Sequence, residues 1–259
     1  MWIAGLVLIA AGVAAFFFMQ HTKRELHAMI GTETFTIPEL EDQRKISDDL
    51  GAKGSFRKSA EVVGAAHPPP SGARTSELSK TECVWYRYTV EREYEHTEYR
   101  DGKRHTRRRT EKLTDHQSNN GFAIIDEAGR TIGVDPGGER PDRPEQVVDR
   151  FEPHEGGRSS VELFGVRLPS FGGGNRTIGY KYKEWVVRPG QRLYVHGEVH
   201  DRKGPLIIGK PSEGGFFIIS TRTEGELRKA HETKHKFLAA GSIAGVLIGL
   251  GLVVGQLVT

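Results

Sequence analysis

The hydrophobic positions gather at the two ends of the chain. The runs Trp2 to Met19 ("WIAGLVLIAAGVAAFFFM") and Phe237 to Val258 carry no charged side chain and are apolar around their whole circumference, where a surface helix would keep a polar face. A helix rises about 1.5 Å per residue, so roughly 20 apolar residues cross about 30 Å of hydrocarbon. Both runs reach that length, and the pattern predicts transmembrane helices over 1–20 and 237–258, with Gln256 at the interface. A cleaved signal peptide fits the first run poorly. No Lys or Arg precedes it, and cleavage at its best small-residue site, around Ala15, would leave Phe16, Phe17 and Phe18 at the new terminus.

Between the runs the periodicity changes twice. "TIPELEDQRKISDDLG" predicts a short helix with Thr36 as cap, Pro38 and Glu39 in the first turn and Gly51 as the stop; Leu40, Ile46 and Leu50 form its thin apolar stripe. The next strong pattern alternates: Val84, Tyr86, Tyr88 and Val90 predict a strand with one buried face. Asp101-Gly102 suits a two-residue hairpin turn. That turn would set Glu98 opposite His105, Glu95 opposite Arg108, Arg92 opposite Glu111, Glu91 opposite Lys112 and Val90 opposite Leu113, so that charges pair and apolar meets apolar. "GFAIIDEAGRTIGVDP" reads as strand, turn near Ala128-Gly129, and strand. "GYKYKEWVVRPGQRLYVHGEVHD", "PLIIG" and "FFIIST" supply further strands, the first around a Pro189-Gly190 turn.

The expected architecture is mainly β: antiparallel strands and hairpins in a central domain between two transmembrane helices, with short flanking helices. Its parts are a linker, short helix and start of the β domain over 21–82, a β-rich domain over 83–222, and a juxtamembrane helix over 223–236 that leads into the second span. The Gly-, Pro-, Arg- and Glu-rich stretch 136–174 reads as an irregular insertion.

Charge sets the expected topology. Lys23 and Arg24 follow the first span, and Arg228, Lys229, Lys234 and Lys236 precede the second, while the extreme termini carry no Lys or Arg. The positive flank stays on the cytoplasmic side, which puts the central domain there. The chain averages 36% hydrophobic residues with a mean hydropathy of -0.48, as a well-charged soluble domain would. Its single cysteine, Cys83, cannot form an internal disulfide and agrees with a reducing compartment.

Candidate chemistry is sparse. Arg100, Lys103, Arg104, Arg107, Arg108 and Arg109 cluster at the hairpin tip, where Arg104, Arg107, Arg108 and Arg109 could contact anionic lipid headgroups. Interleaved glutamates and a net charge of +3 argue for a solvated face and against nucleic acid. His196 and His200 flank "GEV" in a β context without the helical arrangement of a zinc protease, and no third ligand is evident. His96, His105 and His116 offer no better set. "GGGNRTIG" and "DPGGERP" lack the Lys-Ser/Thr of a phosphate loop. No catalytic residue, metal site or cofactor is expected. Gly241 and Gly245, and Gly251 and Gly255, are spaced for helix packing, which suggests a homo-oligomer through the second span.

The order of these features resembles the GIDE or mulan family of mitochondrial E3 ubiquitin ligases, whose middle part is called the beside-a-membrane domain. The resemblance rests on Cys83, Tyr86 and Arg87 in the first strong strand, on Glu184, Pro189, Gly190 and Gly197 in the later pair, and on Ser220 before the last helix. In that family a zinc-binding RING follows the second span. Here the sequence ends at Thr259 with one cysteine, too few for two zinc sites. The resemblance therefore implies a RING-less, prokaryotic-type member in the plasma membrane, a sensing or scaffolding module for an unidentified protein partner. Ligase activity through a RING on another chain, or an unrecognised membrane hydrolase, are the alternatives.

Overall fold

The computed structural model describes residues 2–31, 33–100, 102–154, 162–163, 166–167, 176–202 and 204–257. The chain opens with α1 (Trp2–Gly31), α2 (Ile37–Asp49) and β1 (Arg57–His67). A short pair, β2 (Arg74–Thr75) and β3 (Glu82–Cys83), precedes the long hairpin of β4 (Trp85–Arg100) and β5 (Lys103–Gln117). β6 (Phe122–Ile125), β7 (Thr131–Val134) and β8 (Glu145–Pro153) follow, then β9 (Glu162–Leu163) and β10 (Val166–Arg167). β11 (Arg176–Val187), β12 (Arg192–His200), β13 (Ile207–Gly209) and β14 (Ile218–Ser220) lead into α3 (Glu224–Leu257).

Five strands close into a barrel. Neighbours run β1, β6, β7, β13, β12, and the β1–β12 pairing shuts the ring, with β14 added on the free side of β12. Within the ring, numbered in chain order, the strands follow 1-2-3-5-4 and back to 1, with β7 and β13 parallel and the other pairs antiparallel. This is the connectivity of an OB-type Greek-key barrel. Ala60, Val62, Phe122, Ile124, Ile132, Val134, Leu193, Val195, Val199 and Ile208 fill its interior, every second residue of each strand pointing inward.

β1 serves two neighbours: Arg57 to Ala65 pair with β12, and Ala65 to His67 with β6. At the changeover stands Gly64, where a Cβ would collide with the Ile124 side chain and the Ile125 carbonyl. This strand lies within the segment 21–82 that holds the start of the β domain. The inward positions of "RKSAEVVGAAH" are the small residues Ala60, Val62, Gly64 and Ala66.

α2 forms as its cap predicts. Thr36 and Glu39 make a reciprocal capping box and Gly51 ends the helix with φ 84°. Its stripe differs from expectation: Ile37 and Leu40 enter the barrel core, while Ile46 and Leu50 stay exposed. Arg44 bonds the Gly204 carbonyl and Glu41 pairs with Arg130, so the helix spans two barrel loops.

A second sheet, ordered β5-β4-β11-β8, is assembled from two excursions out of the barrel, one between β1 and β6 and one between β7 and β12. Tyr86, Tyr88, Val90, Tyr180, Tyr182 and Val186 cover one face together with Leu78 and Cys83. Val84 departs from that alternation and joins Trp85 in the barrel core. The hairpin register runs as predicted from Arg100↔Lys103 through Glu91↔Lys112, but Val90 then meets Thr114. Leu113 is the extra residue of a bulge and reaches the sheet core, which a count of residues from the turn does not register. Asp101 lies outside the described residues; Gly102 takes φ 73°. The stretch 136–174 contains β8, paired along β11 from Val186 to Gly179, so its residues 145–153 are sheet rather than irregular chain.

α1 and α3 are each long and apolar enough to cross a membrane. They pack antiparallel: Gly5 faces Gly249 and Val253, and Gly12 faces Ser242 and Val246. A Cβ at Gly249 would sit 2.7 Å from the Gly5 carbonyl oxygen, and the Ser242 hydroxyl donates to the Gly12 carbonyl at 2.9 Å. α3 runs unbroken from Glu224, so the expected juxtamembrane helix and second apolar run are one element.

Candidate functional site

The residues that carried the family resemblance are placed by packing and turns. Glu184 on β11 is fully buried, and its carboxylate accepts from the Leu78 amide (2.7 Å), the Ser79 amide (2.8 Å), and the hydroxyls of Ser76 and Ser79. The loop 76–81 is thereby wrapped around one side chain, with Lys80 at φ 56°. Beside it, burial and the Glu184 charge push the Cys83 thiol up to about 11, far from a reactive thiolate. Tyr86 donates to Glu77, and burial pushes its phenol up to about 12. Arg87 holds Asp115 bidentately at 2.7 and 2.9 Å and lies over the Trp185 ring. Hydrogen bonds from Arg87, with Lys112 and Arg140 adding charge, keep the Asp115 carboxyl well below the usual carboxylate range. Nothing in the one-dimensional pattern marks Asp115.

Pro189-Gly190 turns the chain from the second sheet into the barrel; Gly190 has φ 82° and its amide bonds the Ala66 carbonyl. At Gly197 a Cβ would fall 2.8 Å from the Phe217 ring. Ser220 is buried and bonds Asp142. At the hairpin tip, Arg109 pairs with Glu98 and Arg108 with Glu93, while Arg104 and Arg107 project without an ion pair among the described residues. His196 and His200 stand four apart on β12, about 13 Å along a strand, too far to share one ion. Among the described residues no three His, Cys, Asp or Glu side chains converge as metal ligands.

The polar residues that do converge sit where the barrel meets α1 and α3. Glu61 of β1 is buried and points out of the barrel. Its carboxylate accepts from the Tyr194 phenol and from Thr34, and His196 Nδ1 lies 3.7 Å away. Burial and the bond to Glu61 raise the Tyr194 phenol far above its ordinary value. The backbone of 33–35, just beyond α1, is stitched to Glu61 by Phe35 N to Glu61 O (2.9 Å) and Glu61 N to Glu33 O (3.3 Å). Leu227 of α3 packs with Tyr194, Val63 and Ile218 on the same surface. The chain leaving α1 and the first turn of α3 therefore meet the same side of the barrel.

A second polar knot adjoins this one. Arg222 forks onto Asp142 at 2.8 and 3.0 Å, and Ser220 and the 219–221 backbone hold the same residue. Thr221 bonds the carbonyl of Arg143, which is forced to φ 53°. The knot fixes segment 139–143 beside the first turns of α3 and leaves a groove between them. Two adjoining cavities lie there, one of ≈ 300 Å³ and one of ≈ 510 Å³, and they share Arg222, Ala230 and Lys234. The larger is lined by Arg143, Arg222, Lys229 and Lys234 against one carboxylate, Glu226. Glu226 is already engaged: it caps α3 by accepting from the amide and hydroxyl of Thr223, which holds its own carboxyl below the ordinary value. Sequence reasoning found Lys229 and Lys234 as flank charges, but Arg143, Arg222 and Asp142 come from loops it left unassigned.

These features define a class: an OB-type barrel with a companion sheet, seated on an antiparallel pair of apolar helices. The family model described as GIDE, E3 ubiquitin ligase, matches residues 91–255, and the chain belongs to that family. The match takes in Glu184, Pro189, Gly190, Gly197 and Ser220, whereas Cys83, Tyr86 and Arg87 precede it. No curated protein and no solved structure matches the chain.

Proposed function

We propose that this is a two-span membrane protein whose barrel and companion sheet are held against the bilayer on the cytoplasmic side as a sensing or scaffolding module. The observation that carries the reading is that the chain just beyond α1 and the first turn of α3 both pack on one side of the barrel, the 33–35 backbone at Glu61 and Leu227 at Tyr194. An antiparallel pair joined in this way presents the domain at one membrane surface, and the unbroken α3 couples the barrel to the span. The basic flanks favour the cytoplasmic side. The buried carboxylates Glu61 and Glu184 are each engaged by several internal donors, which suits a structural role for both.

Topology is the deciding measurement. Cys83 is buried, and Ser71 is exposed. In a Cys83→Ser, Ser71→Cys chain, a membrane-impermeant thiol reagent should label only lysed cells; labelling of intact cells would overturn the orientation.

The family match favours one other reading, participation in ubiquitin transfer. One cysteine cannot build a RING within these residues, so the zinc-binding part would have to come from elsewhere. Zinc-dependent discharge of ubiquitin by this chain alone would establish catalysis and overturn the binding-module reading.

A further inference from the structure

We infer that the groove beside α3 is a binding site for the phosphate of an anionic phospholipid headgroup. The inference rests on the two-span reading and assigns a ligand to that membrane-facing surface. Arg143, Lys229 and Lys234 line the larger cavity and make no side-chain hydrogen bond or ion pair among the described residues, whereas Arg222 is fixed by Asp142 and Glu226 by Thr223. With Arg222 they set four positive charges against the single carboxylate of Glu226, an excess that favours an anion there.

The position selects the kind of anion. Phe237 lines the same cavity, is 76% exposed, and begins the apolar run. With about 1.5 Å of rise per residue, Lys234 lies roughly 5 Å above that boundary and Lys229 about 12 Å above it. The headgroup layer of one leaflet is about 5 to 8 Å deep, so Lys234 stands at phosphate level and Lys229 over it. The Lys234 side chain, leaning toward the helix N-terminus, points into the groove region rather than into hydrocarbon. Glu139 lines the adjoining cavity, where its carboxylate can accept from headgroup hydroxyls. A hydroxylated anionic headgroup, such as that of phosphatidylglycerol, suits both cavities, with its acyl chains running past Phe237. A free phosphate would use the cations and ignore Phe237.

The test uses the full chain in phosphatidylcholine nanodiscs containing a minor share of phosphatidylglycerol, followed by detergent extraction and counting of lipid retained per protein. Phosphatidylglycerol should be enriched over phosphatidylcholine. Arg143→Gln with Lys229→Gln and Lys234→Gln should cut that enrichment at least about tenfold, since each cation near a charged surface contributes several-fold. Arg107→Gln with Arg108→Gln and Arg109→Gln should leave it unchanged. Equal retention in the groove variant, or loss only in the hairpin variant, overturns the site. Release of the lipid by millimolar inorganic phosphate would identify a free-phosphate site and overturn the lipid assignment. Alkaline carbonate extraction is scored in parallel: wild-type protein leaving the membrane would sink the two-span reading, whereas a membrane-retained protein without phosphatidylglycerol preference sinks the groove alone. Unchanged thermal unfolding of both variants certifies their fold.

Discussion

The phenol of Tyr194 donates to Oε1 of Glu61 at 2.5 Å, diagonally across the β1–β12 pair, and both side chains are buried under the start of α3. The bond joins the strand that carries the exit from α1 to the strand that receives Leu227. Tyr194→Phe removes one donor from a buried carboxylate, which should destabilise the domain by about 1 to 3 kcal/mol. Thermal unfolding of the full chain in detergent reads it; an unchanged midpoint would mean that Glu61 is held by Thr34 and the backbone alone.

Glu184 offers an internal reporter, because Cys83 lies beside the loop it organises. Glu184→Gln turns an acceptor of four donors into a group that brings donors of its own, and should loosen the 76–81 segment. Cys83 should then react with a small thiol reagent at least about tenfold faster than in the native chain, matching a loss of roughly 1.4 kcal/mol or more in the opening equilibrium. Equal labelling rates would show that the loop is held without the carboxylate.

The direction of the pH response follows from the buried acids. The Cys83 thiol and the phenols of Tyr86, Tyr88, Tyr182 and Tyr194 all titrate above their ordinary values, chiefly because burial disfavours the anion. At high pH the unfolded chain loses these protons first and the folded chain keeps them, so folding stability is fully present below pH about 8.5 and falls as pH rises through about 10. The midpoint of denaturant unfolding should drop steadily over that interval, and a flat profile would contradict the burial of these groups. Asp115 acts at the other end: its depressed carboxyl contributes stability that is present above pH about 4 and is lost as the solution becomes more acidic.

Two glycines of the same helix should respond oppositely. Gly249 abuts the Gly5 carbonyl and Ile9, whereas Gly251 has no atom within 4 Å of its would-be Cβ. Gly249→Leu should separate α1 from α3 and lower the thermal midpoint in detergent, while Gly251→Leu should leave it within about 0.5 kcal/mol. Gly241 is likewise open and Gly245 faces α1, so the paired spacing read as an oligomerisation motif divides between an internal and an external face. Gly251→Leu in a membrane-assembly reporter tests what remains of it; an unchanged signal would remove helix α3 as an oligomer interface.

The sequence by itself determined what local chemistry controls. Thr36 with Glu39 and Thr223 with Glu226 cap helices because each box closes within four residues. Gly102, Gly129 and Gly190 place turns because a positive φ is adopted there, which glycine takes without a side-chain clash. The two apolar runs are legible because a uniform circumference requires no knowledge of partners. The hairpin register could be counted outward from its turn, and the count failed only at Leu113, where the partner strand rather than the turn decides the bulge.

Tertiary structure decided what depends on chain segments far apart. The barrel closes through β1 with β12, whose paired residues are more than 120 apart in sequence, and β1 is too small and polar to announce itself. The companion sheet joins strands from two separate excursions. Asp142 becomes the partner of Arg222 only once the second excursion has returned to the barrel. The groove follows the same rule: Lys229 and Lys234 lie on one helix, but the concavity and its third cation come from a loop folded back some ninety residues earlier. Periodicity reports which face of an element is buried; which other element covers that face is set by pairing and packing energies that no single stretch of sequence contains.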